Sequence, residues 1–206
     1  MSKQDILIVV DVQNDFCPGG ALAVNDGDAV VPLVNSMMDK FHRVIASQDW
    51  HPNNQVSFAS NHPGKKPYDV IQLGKLTQVL WPDHCVIGTR GADFHPDLKK
   101  EKFHLIVRKG SNPSVDSYST FLENDKKTKT GLDGYLKAVN PGRLFLCGLA
   151  TDYCVFYSAM DAVSFGFKTY VIIDACRGID VPENNIERSI RAMKDAKVKI
   201  ITSSEI

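Results

Sequence analysis

Apolar runs of strand length alternate along this chain with segments whose apolar residues recur at helical spacing. The run ILIVV at 6–10 is continuous, as expected for a parallel strand buried on both faces. Further strands are predicted at 43–49 (RVIASQD), 103–109 (FHLIVRK), 143–149 (RLFLCGL), 168–174 (KTYVIID) and 198–202 (VKIIT). Over 27–41, Val30, Val31, Val34, Met37, Met38 and Phe41 share one helical face, with Asn25 or Asp26 as cap. Helices are also predicted at 131–139, capped by Thr130, and at 152–165, with Val155, Ala159, Ala162 and Val163 as the apolar stripe. A last helix is predicted at 183–195, opened by Pro182. Alternation of this kind implies a parallel sheet with helices on both faces. The expected fold is α/β: one domain over 1–206, with three αβα layers and a six-stranded, mostly parallel sheet.

Two stretches break the rhythm. Residues 50–101 are rich in Pro, Gly, Asn and His and carry few regular signals. An excursion that long inside a compact domain is usually functional. Residues 110–129 hold a Ser/Asn/Pro loop and then the charged run ENDKKTK, expected to be solvated.

The strand ends carry the chemistry. Asp11 follows the first strand, Asp49 ends the second and Lys109 the third, and Cys154 lies just past the fourth. Ligands of open α/β sheets bind beyond the carboxyl ends of the strands, so these groups should converge. In GLATDYC, a tight turn passes from strand to helix and places Cys154 in the first helical turn. Free N–H groups and the helix dipole favour a thiolate there and could hold an oxyanion. The alternative, a buried structural cysteine, suits Cys85, Cys147 and Cys176 better. Asp11 could take the thiol proton and later deliver it to a leaving amine. Lys109 could keep that carboxylate ionised. Asp49 and His51, two residues apart, point to one side of an extended chain. With His84 of WPDHC they would make a one-Asp, two-His set suited to Zn²⁺, Fe²⁺ or Mn²⁺. His62 and Cys85 are alternative ligands, whereas His42, His95 and His104 read as surface or packing residues.

Composition narrows the class. Lys+Arg and Asp+Glu are both 24, so no basic excess recommends nucleic acid or an anionic membrane as partner. No apolar run approaches the roughly 20 residues of a membrane span. The N-terminal stretch reads as a first strand, not a signal peptide. Five scattered cysteines suit reduced thiols and a cytoplasmic protein. A homo-oligomer is left open. No G-x-G-x-x-G follows the first strand and no P-loop is present.

Six ordered segments together resemble one family: DVQNDFCPGGAL, SQDWHP, LWPDHC, RKG, DSYSTF and GLATDYCV. They are similar to the nicotinamidases, metal-dependent members of the isochorismatase-like cysteine hydrolases. The resemblance covers nearly the whole chain. It implies an α/β enzyme of NAD salvage that hydrolyses nicotinamide to nicotinate and ammonia through a cysteine thioester. It implies a catalytic triad of Asp11, Lys109 and Cys154, with the N–H of Ala150 joining that of Cys154 in an oxyanion hole. It implies one divalent metal, zinc first, on Asp49, His51 and His84, to which the substrate's pyridine nitrogen binds. It places Phe16, Trp81 and Tyr118 in the pocket and a cis bond at Leu149–Ala150. Some relatives carry a further metal-binding histidine where this chain has Gln55. Two rival readings remain: a metal-independent carbamoyl or ureido amidase of the same group, and a non-enzymatic thiol sensor.

Overall fold

The computed structural model describes residues 1–206. The elements run β1 (Asp5–Val10), α1 (Val30–Met38), β2 (Arg43–Asp49), β3 (Val70–Leu73), β4 (Leu76–Val79), β5 (Leu105–Lys109), α2 (Leu132–Val139), β6 (Arg143–Leu149), α3 (Phe156–Ser164), β7 (Thr169–Arg177), α4 (Asn185–Asp195) and β8 (Lys199–Ile201). Six strands form one sheet in the order β5-β2-β1-β6-β7-β8. Every pair in it is parallel, so the expected sheet is present. Every residue of β1 is buried, in keeping with its unbroken apolar run. Burying each such Val, Leu or Ile side chain contributes about 1.5–3 kcal/mol. A single core cluster runs from Ile6 to Val198. The chain builds outward from β1 to β5 on one side, then crosses to β6 and builds outward to β8. The order therefore reverses between β1 and β6, where a crevice opens beyond the strand ends.

Several boundaries differ from expectation. A 3-10 turn, Gly27–Ala29, precedes α1, and neither Asn25 nor Asp26 caps the helix with its side chain. Gly131 takes the cap position of α2 at φ 97°, while the Thr130 hydroxyl, one residue earlier, accepts the Leu132 N–H at 3.3 Å and donates to Thr120 O at 2.6 Å. α4 starts at Asn185, two residues later than Pro182 suggested. β7 runs on to Arg177, past a register shift against β6 between Leu146 and Gly148. The long excursion contains an unexpected hairpin, β3–β4. Most of its side chains are at least partly exposed, so no core face marks it in the sequence. No helix is long and apolar enough to cross a membrane.

Candidate active site

The first cluster is built by register. Asp49 and Lys109 are direct partners in the β2–β5 ladder. Asp11 follows β1 in a left-handed conformation, φ 44°, and its Oδ1 accepts the Ser47 hydroxyl of β2 at 2.7 Å. The Lys109 ammonium is fully buried, with Asp11 Oδ2 and Asp49 Oδ1 both at 2.9 Å. The Ser117 carbonyl lies 2.8 Å away. Three oxygens thus match the three N–H donors of an ammonium. Cys154 Sγ is a fourth neighbour at 3.4 Å. Asp11, Lys109 and Cys154, predicted from separate strand ends, do meet.

Burial sets the charge states. It acts to lower the Lys109 pKa, but Asp11 and Asp49 outweigh it and hold the ammonium well above the usual lysine range. Asp49 is held well below the usual carboxylate range: burial opposes this, while His51 and Lys109 prevail. Burial pushes Asp11 up, with Lys109 opposing and Asp49 adding. It also pushes the Cys154 thiol well up, against the pull of Lys109. Burial thus opposes the pull toward a thiolate that the helix-start position offers. A thiol pushed up in this way needs a base at the moment of attack, the role expected of Asp11.

The turn holding Cys154 also differs from the predicted α-helical start. Thr151–Val155 form a π-helical turn. The N–H groups of Tyr153 and Val155 both donate to Ala150 O. The buried N–H of Ala150 donates to no protein acceptor. The Leu149–Ala150 peptide is cis.

The second cluster is a ligand set. Asp49, His51 and His84 are buried, and one ligand atom from each lies within 4.8 Å of the others. His51 Nε2 is 3.1 Å from Asp49 Oδ2 and His84 Nε2 is 3.5 Å from it. Each imidazole has its Nδ1 against a carbonyl: Gly110 O at 2.9 Å for His51, Pro82 O at 2.8 Å for His84. Carbonyls only accept, so Nδ1 donates in both rings and Nε2 of the neutral form carries the lone pair. Buried His51 Nε2 has no hydrogen-bond partner. Two lone pairs and a carboxylate oxygen thus face one point, which a cation fits. Burial lowers the His51 pKa, yet Asp49 and Asp116 outweigh it and push it up to about 9; the same field attracts a metal ion. Asp11, Asp49 and Asp116 against one Lys109 leave excess negative charge when all are ionised, and a divalent ion would balance it.

Gln55 is not among the ligands. Its amide donates to Gly110 O at 2.8 Å and Asn112 O at 3.0 Å, on the Nδ1 side of His51. It holds the carbonyl that orients the ring. His62 bonds Val56 O instead, and Cys85 is buried outside the three-residue set. Gly110 sits at φ 71°, and a Cβ there would press onto the His51 ring. Gln13 fixes Asp49 from behind, accepting its N–H at 2.7 Å and donating to its carbonyl at 2.8 Å.

A small cavity joins the two clusters. Phe16, Trp81 and Tyr118 line it as expected, with Ala150, Cys154, Asp49 and His84. Leu22, Asp116, Tyr153 and Ile179 also line it and were not anticipated. Asp116 Oδ1 comes within 3.9 Å of His51 Nε2. Its place in the DSYSTF segment was the one available signal; its burial was not visible in the sequence. The Tyr118 hydroxyl accepts from Trp81 Nε1 at 3.1 Å and Gln78 Nε2 at 3.0 Å.

Comparison with known proteins agrees with this geometry. Residues 5–205 match the isochorismatase domain. The nicotinamidase of Acinetobacter baylyi is 48% identical over 97% of this chain and 93% of its own. A solved nicotinamidase/pyrazinamidase from Acinetobacter baumannii superposes with TM-score 0.97 at 48% identity, covering 99% of this chain and 98% of that one. The pyrazinamidase of Pyrococcus horikoshii, solved in complex with zinc, gives TM-score 0.79 at 36% identity, covering 97% and 99%. With the sheet order, the buried triad and the length of these matches in agreement, the chain belongs to the isochorismatase domain family and stands there beside the nicotinamidases.

Proposed function

We propose that this protein is a nicotinamidase, hydrolysing nicotinamide to nicotinate and ammonia. One observation carries the reading: a buried Asp11–Lys109–Cys154 cluster and a two-His, one-Asp ligand set open into the same small aromatic cavity. As the substrate carboxamide seats, Cys154 Sγ attacks its carbon and the thiol proton passes to Asp11. The N–H of Ala150 is free to receive the oxyanion. Asp11 then protonates the leaving nitrogen, the C–N bond breaks, and ammonia departs from a thioester. Asp11 next takes a proton from water, whose oxygen attacks the thioester. Nicotinate leaves and the Cys154 sulfur recovers the proton. Lys109 stays cationic throughout and steadies both carboxylates. Phe16, Trp81 and Tyr118 flank the ring.

The group that Asp49, His51 and His84 fit is a divalent ion, and the nitrogen-rich donor set and the zinc-bound relative favour Zn²⁺ over Fe²⁺ or Mn²⁺. When bound it supplies a Lewis-acid point for the pyridine nitrogen. The protein is expected to hold about one metal per chain by elemental analysis and His84→Ala to hold far less, with a raised KM. Chelators should inhibit the wild type, and more readily in mild acid, because neutral imidazole is the ligating form. Full activity in metal-free protein would move the assignment to a metal-independent amidase of the same group. Five free cysteines fit a reducing, cytoplasmic setting.

The pH profile tests the base. Asp11 must be ionised to accept the thiol proton, and burial raises its pKa above the ordinary 3.8. The acid limb of kcat/KM, which reports the free enzyme, should therefore lie above that value. Activity falling only at or below 3.8 would remove Asp11 from the role.

A further inference from the structure

Residues 178–184, between β7 and α4, carry one wall of the cavity through Ile179. This connection makes no backbone–backbone hydrogen bond to the body of the protein. Its only such bonds run to the start of α4, from Asn185 N–H to Pro182 O and from Arg188 N–H to Asn184 O. Side chains supply the attachment, and those outside α4 come from one place. Ile179 N–H donates to Asp152 Oδ1 at 2.9 Å and Asp180 N–H to Asp152 Oδ2 at 2.9 Å. Asn185 Nδ2 donates to the same Oδ2 at 3.1 Å. The Tyr153 hydroxyl donates to Val181 O at 2.5 Å. Asp152 and Tyr153 immediately precede Cys154.

Asp152 is 2% exposed and forms no ion pair with a basic side chain. A buried carboxylate without a cation is costly unless hydrogen bonds compensate it. Here three N–H donors from the connection and the head of α4 do so. The fit is close: a Cβ on Gly178 would lie 2.6 Å from Ile186 Cδ1 and 2.9 Å from Asp152 Oδ1. Pro182, Glu183 and Asn184 are exposed, and the connection's other ties run to α4: Ile186 N–H donates to Asp180 Oδ1 at 3.0 Å and Arg188 Nη2 to Pro182 O at 3.4 Å.

We infer that Asp152 is a positioning residue: its carboxylate fastens the 178–184 connection to the nucleophile's own turn, and so holds Ile179 as a wall against the substrate ring. Asp152 touches neither the cavity nor Cys154's reaction partners; it acts through Ile179 and Tyr153. The role rests on the proposed amidase reading, but the fastening itself is measurable without substrate.

The test compares Asp152→Ala, Asp152→Asn, Tyr153→Phe and Ile179→Ala with wild type. Each of these amides loses its acceptor, so amides 179 and 180 of Asp152→Ala should exchange about tenfold faster or more. KM for nicotinamide should rise about tenfold while kcat stays within about threefold, the signature of lost ground-state binding. Asp152→Asn, keeping one acceptor oxygen, should fall between. Ile179→Ala should reproduce the KM rise with exchange at Asp180 unchanged. A folded Asp152→Ala with wild-type KM overturns the inference, as does a fall in kcat at constant KM. If Asp152→Ala does not fold, unchanged exchange and KM in both Asp152→Asn and Tyr153→Phe overturn it equally. A wild type inert towards nicotinamide would sink the functional reading, and unchanged exchange would still sink the fastening alone.

Discussion

Cys154→Ala is expected to abolish nicotinamide hydrolysis, by about 10⁴-fold or more, as loss of a nucleophile does. The fold should survive. The side chain is buried, but trading a thiol for hydrogen removes little volume, and the cost should stay near 1 kcal/mol. Nicotinamide should still bind, because the proposed contacts to its ring come from Phe16, Trp81 and Tyr118. Calorimetric titration of the variant should therefore give a measurable Kd. Cys147→Ala is the control. That residue is fully buried within β6, so its loss should lower Tm while sparing turnover. A Cys154→Ala protein with substantial activity would end the thioester mechanism and leave the sensor reading standing.

Lys109→Met should damage both stability and catalysis. From the sequence alone, Lys109 reads as a positioned charge whose removal slows the reaction by orders of magnitude and spares the fold. The structure changes the second half of that expectation. Both oxygens paired with Lys109 belong to buried carboxylates, and breaking a buried pair costs about 3–5 kcal/mol. Urea midpoints should fall accordingly. The sign with pH follows from the shifts. The Lys109 pKa is raised in the folded state, so its stabilisation is fully present below 10.5 and is lost as pH rises through the higher folded value. Asp49 is depressed, so its contribution is present above 3.8 and lost as pH falls through the lower folded value. The gap between wild type and Lys109→Met should thus be widest between those limits and should narrow in acid. A variant of wild-type stability would mean that Asp11 and Asp49 are not both ionised in the fold.

The two experiments probe different layers of one design. In the proposed mechanism Cys154 does the bond chemistry, while Lys109 makes the surrounding charge arrangement tolerable. Asp11 needs that arrangement most. It must be basic enough to take a proton from a thiol that burial has made reluctant, and its own raised pKa meets the thiol part of the way.

Much of this was legible in the residues. The continuous apolar runs fixed the buried strands, because a parallel strand covered on both faces has no polar alternation to show. Asp11, Asp49, Lys109 and Cys154 were visible as polar groups at the ends of such runs, where the topology collects ligands. His84 of WPDHC could be offered as a third ligand beside Asp49 and His51, with His62 and Cys85 as alternatives, and the ordered motifs favoured it. Tertiary structure decided the rest. The β3–β4 hairpin escaped because its side chains face solvent more than core. Gln13, Gln55, Asp116 and Asp152 escaped because a buried polar side chain looks like a surface one until its partners are known. The effect of burial on Cys154 was hidden for the same reason. Position at a helix start is local and can be read from a strand-to-helix pattern, whereas desolvation is a property of everything packed around the sulfur.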